Sequence, residues 1–255
     1  MYSIVIPSVG RINYLNELLE SIYNQTLSAE EIIIIFDNNE KCKEIEKQII
    51  KKDNLKIFFS EKLTTPQKRN FGVRTACTDN IIFSDDDDIW EINKAFLTIE
   101  SLKKSQVVCH AYSKFGSNKD KRTIYNLGKS KRFVTLIYLM YGDNIFGGGS
   151  GIAGKKEVFL SIPFNRDLYS EDYDWWIRIL LADIKVEYIP EPLVSYRNHN
   201  KNMTRNFLKI YFYNIRILNK IFLKSLILIL TFFIGYFKIA IKIIIRKTKL
   251  FQFYK

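Results

Sequence analysis

Four consecutive aspartates, Asp85 to Asp88, stand one residue after the apolar run Ile81-Ile82-Phe83. Carboxylates packed this closely repel one another, and a divalent cation is the obvious compensating charge. Mg²⁺ and Mn²⁺ take carboxylate oxygens and complete their shells with substrate phosphates. A solvated acidic turn is the alternative. A second acidic group, Ser170-Glu171-Asp172-Tyr173-Asp174, precedes a helical pattern containing Trp175, Trp176 and Arg178. Acids at a helix start complement the helix dipole. One of them could also take a proton from a hydroxyl, which needs a carboxylate ionised at neutral pH. Of the two histidines, His110 follows an apolar stretch and is expected to be structural, whereas His199 lies in a polar segment suited to a metal or phosphate. Gly147-Gly148-Gly149-Ser150-Gly151 would let backbone approach a ligand, although its spacing is not that of a phosphate loop.

The elements that must position these groups alternate. Tyr2 to Ile6, Glu31 to Phe36, Leu55 to Phe59 and Ile81 to Phe83 read as strands. Ile12 to Ile22, with Asn13 as an available cap, Cys42 to Lys52 and Pro66 to Thr75 read as the helices between them. Strands alternating with helices imply right-handed crossovers and a mostly parallel central sheet flanked by helices, an α/β fold. Ligands bind beyond the carboxyl ends of such strands. Here those ends carry Pro7 to Arg11, Asp37-Asn38-Asn39 and Asp85 to Asp88. Further on, the pattern gives a helix near Asn93 to Lys104, a strand near Val107 to Ala111, a helix over Tyr173 to Leu181, a strand near Lys185 to Ile189 and a loop at Pro190 to Pro192.

With 255 residues, 47% of them hydrophobic, the chain can bury a full core. Its net charge of +12 is lopsided. From Arg205 to Lys255 there are 11 Lys and Arg and no acidic residue, leaving 28 basic against 27 acidic residues before that point. The first 204 residues are thus nearly neutral, and charge confined to an apolar tail disfavours nucleic acid as a partner. Cys42, Cys77 and Cys109 are odd in number and widely spaced, as expected of reduced thiols in a cytosolic compartment. No signal-peptide pattern precedes the first strand.

In this order the segments resemble the family 2 glycosyltransferases of GT-A fold, over roughly residues 1 to 204. Ile4-Val5-Ile6-Pro7, Asn24-Gln25-Thr26, Phe36-Asp37, Gln67-Lys68-Arg69-Asn70-Phe71-Gly72, Phe83-Ser84-Asp85-Asp86-Asp87-Asp88, Glu171-Asp172 and the block from Ile189 to His199 each match a piece of the family pattern. The resemblance implies an inverting, metal-dependent transferase that moves a sugar from a nucleoside diphosphate, a UDP-sugar foremost. By that resemblance Pro7, Asp37, Arg69 and Asp86 would bind the donor, Asp85, Asp87 and His199 would hold Mn²⁺ or Mg²⁺, and Asp172, beside Glu171, would be the general base. Val9-Gly10 departs from the aromatic-Asn pair common in the family, and Ser84 from its large apolar residue.

The tail reads as a second region, 205–255. On a helix, Lys209, Arg216, Lys220, Lys224, Lys238, Lys242, Arg246 and Lys249 fall on one side of an otherwise apolar surface. That pattern suits helices lying at an anionic membrane surface, with a tilted or re-entrant span and a stripe buried against a partner protein as the alternatives. The expected protein is an enzyme at the cytoplasmic face of the cell membrane, with a lipid-linked acceptor in surface-polysaccharide assembly. A nucleotidyltransferase of related fold and a non-catalytic membrane-binding module are the rival readings. The former would need a Gly-rich loop with Thr-Arg after the first strand, which Pro7 to Arg11 does not supply.

Overall fold

A computed structural model describes residues 1–61, 63–116, 122–124, 139, 146, 148–166, 170–199, 207–222 and 237. Its centre is β1 (Ser3–Pro7), buried along its whole length. Strand β1 pairs in parallel with β2 (Glu31–Asp37) on one side and β4 (Asn80–Phe83) on the other, and β3 (Leu55–Ser60) extends the sheet beyond β2. The isoleucine run Ile32 to Ile35 is at most 1% exposed, as both faces of this sheet half are covered. Successive side chains enter opposite cores: Val5, Ile33 and Ile35 face one, while Ile4, Ile6, Ile32 and Ile34 face the other.

Gly10, at φ +75°, turns the chain out of β1 straight into α1 (Ile12–Tyr23). Arg11 therefore takes the N-cap position, and Asn13, the expected cap, lies inside the helix. Helix α1 buries Leu15, Leu18, Leu19 and Ile22, the residues whose spacing announced it. The helix expected over Cys42 to Lys52 is the shorter α2 (Glu40–Glu46), started by the Asn39 side chain, which accepts from the Cys42 N–H at 2.9 Å. Helix α3 (Thr65–Thr75) lies so close to β1 that a Cβ on Gly72 would collide with Val5.

After β4 come β5 (Ile89–Trp90), α4 (Lys94–Leu102), β6 (Val107–Gly116) and β7 (Arg122–Ile124). A single 3₁₀ turn at Gly149–Gly151 leads to β8 (Ala153–Lys155), α5 (Lys156–Ser161) and α6 (Glu171–Leu181). Strand β8 runs antiparallel between β4 and β6, joining the parallel half to the rest of the sheet. Strand β9 (Val186–Asn198) lies parallel to β6 and antiparallel to β5. Where a loop is expected at Pro190–Pro192, the strand continues. Proline supplies no ladder N–H, and register shifts on either side of Ala111 in β6 absorb the irregularity.

Helix α7 (Phe207–Phe222) begins the basic tail. Ile217 and Leu218 are buried in the same core as Trp176 and Leu180 of α6, whereas Lys209, Phe212 and Arg216 are exposed. Among the described residues no helix is long and apolar enough to cross a membrane. Lys224, Lys238, Lys242, Arg246 and Lys249 lie outside the described residues, as does Gly147.

Candidate active site

The parallel strand ends meet where their polar residues converge. The loop after β1 wraps the acidic run: Ser8 Oγ donates to Asp86 Oδ2 at 2.6 Å, the Val9 N–H donates to the same oxygen at 3.1 Å, and Arg11 Nη1 lies 2.9 Å from Asp86 Oδ1. Arg11 also pairs with Asp87 Oδ2. Of the Val9-Gly10 pair, where the family pattern is broken, Val9 thus meets Asp86 through its backbone N–H, while the Gly10 N–H donates to Ser8 Oγ at 3.0 Å. Asp86 is 4% exposed, and its pKa is raised by burial although Arg11 and Ser8 oppose the shift.

Asp88 has a different task. It is fully buried, and burial, with Asp85 and Asp87 adding to it, raises its pKa well above the ordinary carboxylate range. Ser150 Oγ donates to Asp88 Oδ2 at 2.6 Å and accepts from the Asp85 N–H at 2.8 Å. The Arg197 N–H donates to Asp88 Oδ1 at 3.1 Å, and Arg197 Nε to the Asp87 carbonyl at 2.8 Å. Asp88 therefore latches the glycine-rich turn and the end of β9 to the strand end of β4. Beneath it lies Lys94, 0% exposed, donating to the Ser150 carbonyl at 2.5 Å and sitting 4.2 Å over the Trp90 ring. Burial pulls its pKa down to about 7, against the pull of Asp88 and Asp85. Ser84, in place of a large apolar residue, accepts from Trp90 Nε1 at 2.9 Å.

The sequence-derived metal set divides. His199 Nε2 is 2.9 Å from Asp87 Oδ2, and its ring stacks on Tyr14 of α1 at 5.4 Å. Asp85 instead points to Arg69, with Oδ1 at 2.6 Å from Nη2. Among the described residues no group of three metal-capable side chains converges. Asp87 and His199 still suit a hard or borderline cation: a carboxylate oxygen and an imidazole nitrogen lie in contact, leaving positions for diphosphate oxygens and water. The same Asp87 oxygen already attracts the Arg11 guanidinium, so positive charge is favoured there.

Arg69 bridges the acidic groups of two elements. From α3 its Nη1 reaches Glu171 Oε1 at 2.5 Å while Nη2 holds Asp85. Its pKa is raised because Asp85, Glu171 and Asp172 outweigh its burial. Asp172 opens partly to the cleft, yet protein surrounds its carboxyl. Burial first, then the neighbouring Glu171, pushes its pKa up to about 7, with Arg69 and the Tyr173 N–H opposing. Asp174, facing away, pairs with Arg178 one turn on at 2.8 Å, so the three acids of this first turn are not one dipole-complementing group. Asp85, Asp86, Asp87, Arg69, Glu171, Asp172 and Pro7 all line one cleft of about 360 Å³. Asp37 lies outside that lining, at the end of β2, where Lys68 Nζ holds it at 2.6 Å and donates to the Ser8 carbonyl at 2.8 Å. His110 is 2% exposed, with burial lowering its pKa to about 3, and lies outside the lining too.

Sequence reading missed Arg11, Lys68, Lys94 and Ser150. Lys68 and Arg69 carried a signal, because adjacent cations in a short helix opposite two acidic strand ends, at Asp37 and at Asp85 to Asp88, have somewhere to point. Lys94 carried none, since one lysine in an amphipathic pattern looks like a solvated residue.

The model of glycosyl transferase family 2 matches residues 3–162. An uncharacterized glycosyltransferase of Methanocaldococcus jannaschii is 29% identical over 197 residues, covering 74% of this chain and 67% of the relative. The O-antigen biosynthesis glycosyltransferase WbnJ of Escherichia coli is 28% identical over 81% of this chain and 84% of its own, and the amylovoran biosynthesis glycosyltransferase AmsE of Erwinia amylovora 25% identical over 82% of each. Among solved structures, the mannosyltransferase PcManGT of Pyrobaculum calidifontis, with GDP-Man and Mn²⁺, superposes with TM-score 0.64 at 12% identity, over 86% of this chain and 63% of that one. S. aureus TarS with UDP-GlcNAc gives 0.61 at 15%, over 85% and 66%, so this chain spans about two thirds of those proteins. At such identities these structures speak for the fold, which is GT-A, and the family match sets aside the nucleotidyltransferase and the non-catalytic module. With more than half its residues matched in order, the chain belongs to glycosyl transferase family 2.

Proposed function

We propose that the protein transfers a sugar from a nucleoside-diphosphate sugar to a hydroxyl of a membrane-held, lipid-linked acceptor, with inversion at the anomeric carbon. One observation carries the reading: Asp172, a carboxyl whose pKa sits near neutrality, shares a cleft with the strand-end aspartates. In a single displacement the acceptor oxygen attacks the anomeric carbon, its proton passes to Asp172, and the bond to the diphosphate breaks. Arg69 keeps Glu171 and Asp85 in place and adds positive charge beside the departing phosphates. Mn²⁺ or Mg²⁺, held by Asp87 and His199, would neutralise that leaving group as a Lewis acid. Pro7 and Asp86 shape the donor side of the cleft. Asp37, with Lys68, is the group assigned to the nucleotide base.

The names of WbnJ and AmsE support a place in surface-polysaccharide assembly, and the GDP-Man and UDP-GlcNAc complexes of PcManGT and TarS support a nucleotide-sugar donor. The basic, apolar tail supports attachment to an anionic membrane at its cytoplasmic face. Incubating the protein with a panel of UDP- and GDP-sugars, with and without Mn²⁺, and following release of the nucleoside diphosphate tests the reading. Metal-stimulated turnover of at least one sugar nucleotide is expected, and no turnover or binding across the panel would defeat it.

A further inference from the structure

Near the end of β9 one arginine stands behind the cleft rather than in it. Tyr196 of β9 and Lys114 of β6 pair with each other and line the cleft, so the next residues in register, Arg197 and Phe115, point to the opposite face of the sheet. There the Arg197 guanidinium lies over two rings, 4.5 Å from the centre of Phe115 and 4.4 Å from that of Tyr14 in α1. Glu17, one turn along the same helix, pairs with Arg197 Nη2, and the Arg197 side chain is only 12% exposed. A single side chain thus ties the end of the β6–β9 ladder to the first turns of α1.

The same side chain touches the pair assigned to the metal, at both members. Arg197 Nε donates to the Asp87 carbonyl at 2.8 Å, and the Arg197 N–H to Asp88 Oδ1 at 3.1 Å. Arg11 meets the Asp87 carboxylate itself, whereas Arg197 takes the main-chain oxygen and leaves the carboxylate to a ligand. That carboxylate lies 2.9 Å from His199 Nε2, and the His199 ring stacks on Tyr14, the ring that Arg197 also covers. The contacts close a circuit from Arg197 to Asp87, to His199, to Tyr14 and back. A carboxylate and an imidazole share one cation only when their mutual orientation is held, and groups one step behind the ligands hold it. A planar guanidinium stacks on rings and donates in two directions at once, which an ammonium cannot do. Glu17 offsets its charge, so a cation at Asp87 and His199 meets less repulsion.

Resting on the reading of Asp87 and His199 as the metal pair, we propose that Arg197 is a positioning residue for the transfer reaction: it fixes Asp87 through the main chain and His199 through Tyr14, while Glu17 pins the guanidinium from the solvent side. The sign of its effect sets it apart from Arg11. By charge alone, removing a cation beside a metal site strengthens metal binding, which is the result expected of Arg11→Ala. Removing Arg197 weakens it, because the orientation of both ligands is lost along with the charge.

The test uses the full chain and its Arg197→Lys, Arg197→Met and Glu17→Gln variants. Calorimetry of UDP and GDP is run once with Mn²⁺ and once with EDTA, and the ratio of the two affinities is the metal-dependent gain. Melting temperatures are read alongside. In both Arg197 variants the gain should fall about tenfold or more, within the usual effect of losing a group that orients a ligand, while affinity in EDTA stays within about twofold of the wild type. In Glu17→Gln, whose side chain is 45% exposed, the gain should fall about threefold at an unchanged melting temperature. A gain preserved in Arg197→Lys, or raised in Arg197→Met, would overturn the proposal and leave charge as the only contribution of Arg197. Affinities lowered equally in Mn²⁺ and in EDTA, with a lower melting temperature, would make Arg197 a clamp of the fold and overturn it as well. Should neither Arg197 variant fold, Glu17→Gln decides alone, and a wild-type gain in it defeats the proposal. The readings underneath are tested in the wild type before any variant is compared. Equal nucleotide affinity in Mn²⁺ and EDTA there removes the metal pair, and binding of neither nucleotide removes the glycosyl-transfer reading.

Discussion

The guanidinium of Arg69 lies 2.5 Å from Glu171, a residue 102 positions further along the chain, and joins α3 to α6 across the cleft. Because the same group also holds Asp85, its removal would leave Asp85, Glu171 and Asp172 crowded with no cation between them. Breaking a buried ion pair from one side costs about 3 to 5 kcal/mol. Urea unfolding of Arg69→Leu at neutral pH should show a loss of about that size, and Arg69→Lys a smaller one. An unchanged midpoint for Arg69→Leu would mean that the carboxylates are stabilised by something else.

Gly149 is closed to any side chain by this arrangement. A Cβ there would collide with the Arg69 guanidinium and stand 2.7 Å from Asp85 Oδ1. The Arg69 tip is pinned at both ends, so it cannot yield cheaply. Gly149→Ala should lower nucleotide affinity or thermal stability measurably, whereas Gly148→Ala, whose Cβ would meet only Asp85 Oδ2 at 3.8 Å, should be close to neutral. Equal behaviour of the two variants would contradict the geometry.

Asp172 links activity and stability to pH in opposite directions. Its carboxyl titrates near 7 in the folded chain, against an ordinary 3.8. As a base it works only when ionised, so turnover should rise as pH increases through about 7. The folded state binds the proton more tightly than the unfolded chain does. This group therefore favours folding at low pH, and that contribution is lost as pH rises toward 7. Asp172→Asn should keep nucleotide affinity, lose roughly 100-fold or more in turnover, and gain stability relative to wild type on going from pH 5 to pH 8. Turnover of the variant near the wild-type level, with the same pH profile, would remove Asp172 from the chemistry.

The fold was legible where burial alone decides it. Ile32 to Ile35 and the α1 pattern at Leu15, Leu18, Leu19 and Ile22 are driven by apolar surface, which periodicity records directly. Asp85 to Asp87, Glu171 and Asp172 stood out as charged groups at strand and helix ends, Arg69 was pointed to by the family resemblance alone, and all six line one cleft. What sequence could not separate was the labour within the acidic run. Asp88 is as acidic as its neighbours, and only Ser150 and Arg197, far away in the chain, make it a structural latch. β9 was misread at Pro190 and Pro192 because proline argues against a strand locally, and the register shifts that admit it belong to β6. Ile217 and Leu218 sat in a helix apolar nearly all round, so the pattern gave no sign that this turn serves the core.

The contact between Asp87 Oδ2 and His199 Nε2 predicts how the protein should respond to metal. Calorimetry of UDP or GDP binding should show tighter binding with Mn²⁺ than with EDTA. In Asp87→Asn the metal-dependent gain should vanish, and in His199→Ala it should shrink by about tenfold or more, within the usual effect of losing one ligand or its orientation. Arg11→Ala removes the cation that meets the same carboxylate, so it should raise the apparent affinity for Mn²⁺ itself. Metal-independent nucleotide binding in the wild type would refute the assignment of Asp87 and His199.

Two chain ends separate the parts played by the C-terminal segment. A chain ending at Thr204 loses Ile217 and Leu218 from the core beside Trp176, together with Ile210 and Asn214 from the cleft wall. Full burial of such side chains contributes about 1.5 to 3 kcal/mol each, so this truncation should be destabilised by several kcal/mol. A chain ending at Phe222 keeps those residues and should retain the wild-type melting temperature within a few degrees, along with nucleotide binding. Both lack Lys224, Lys238, Lys242, Arg246 and Lys249. Each basic residue near an anionic surface contributes about 1 kcal/mol, so both should lose binding to phosphatidylserine vesicles, which the wild type should show at low salt and lose at high salt. Lys238, Lys242 and Arg246 changed together to Glu should weaken vesicle binding in the full chain without touching stability. If the chain ending at Phe222 still sediments with vesicles, attachment resides in α7, whose exposed Lys209, Phe212 and Arg216 would then be its anchor. A wild type that resists both salt and alkaline carbonate extraction would instead require a segment that spans the bilayer.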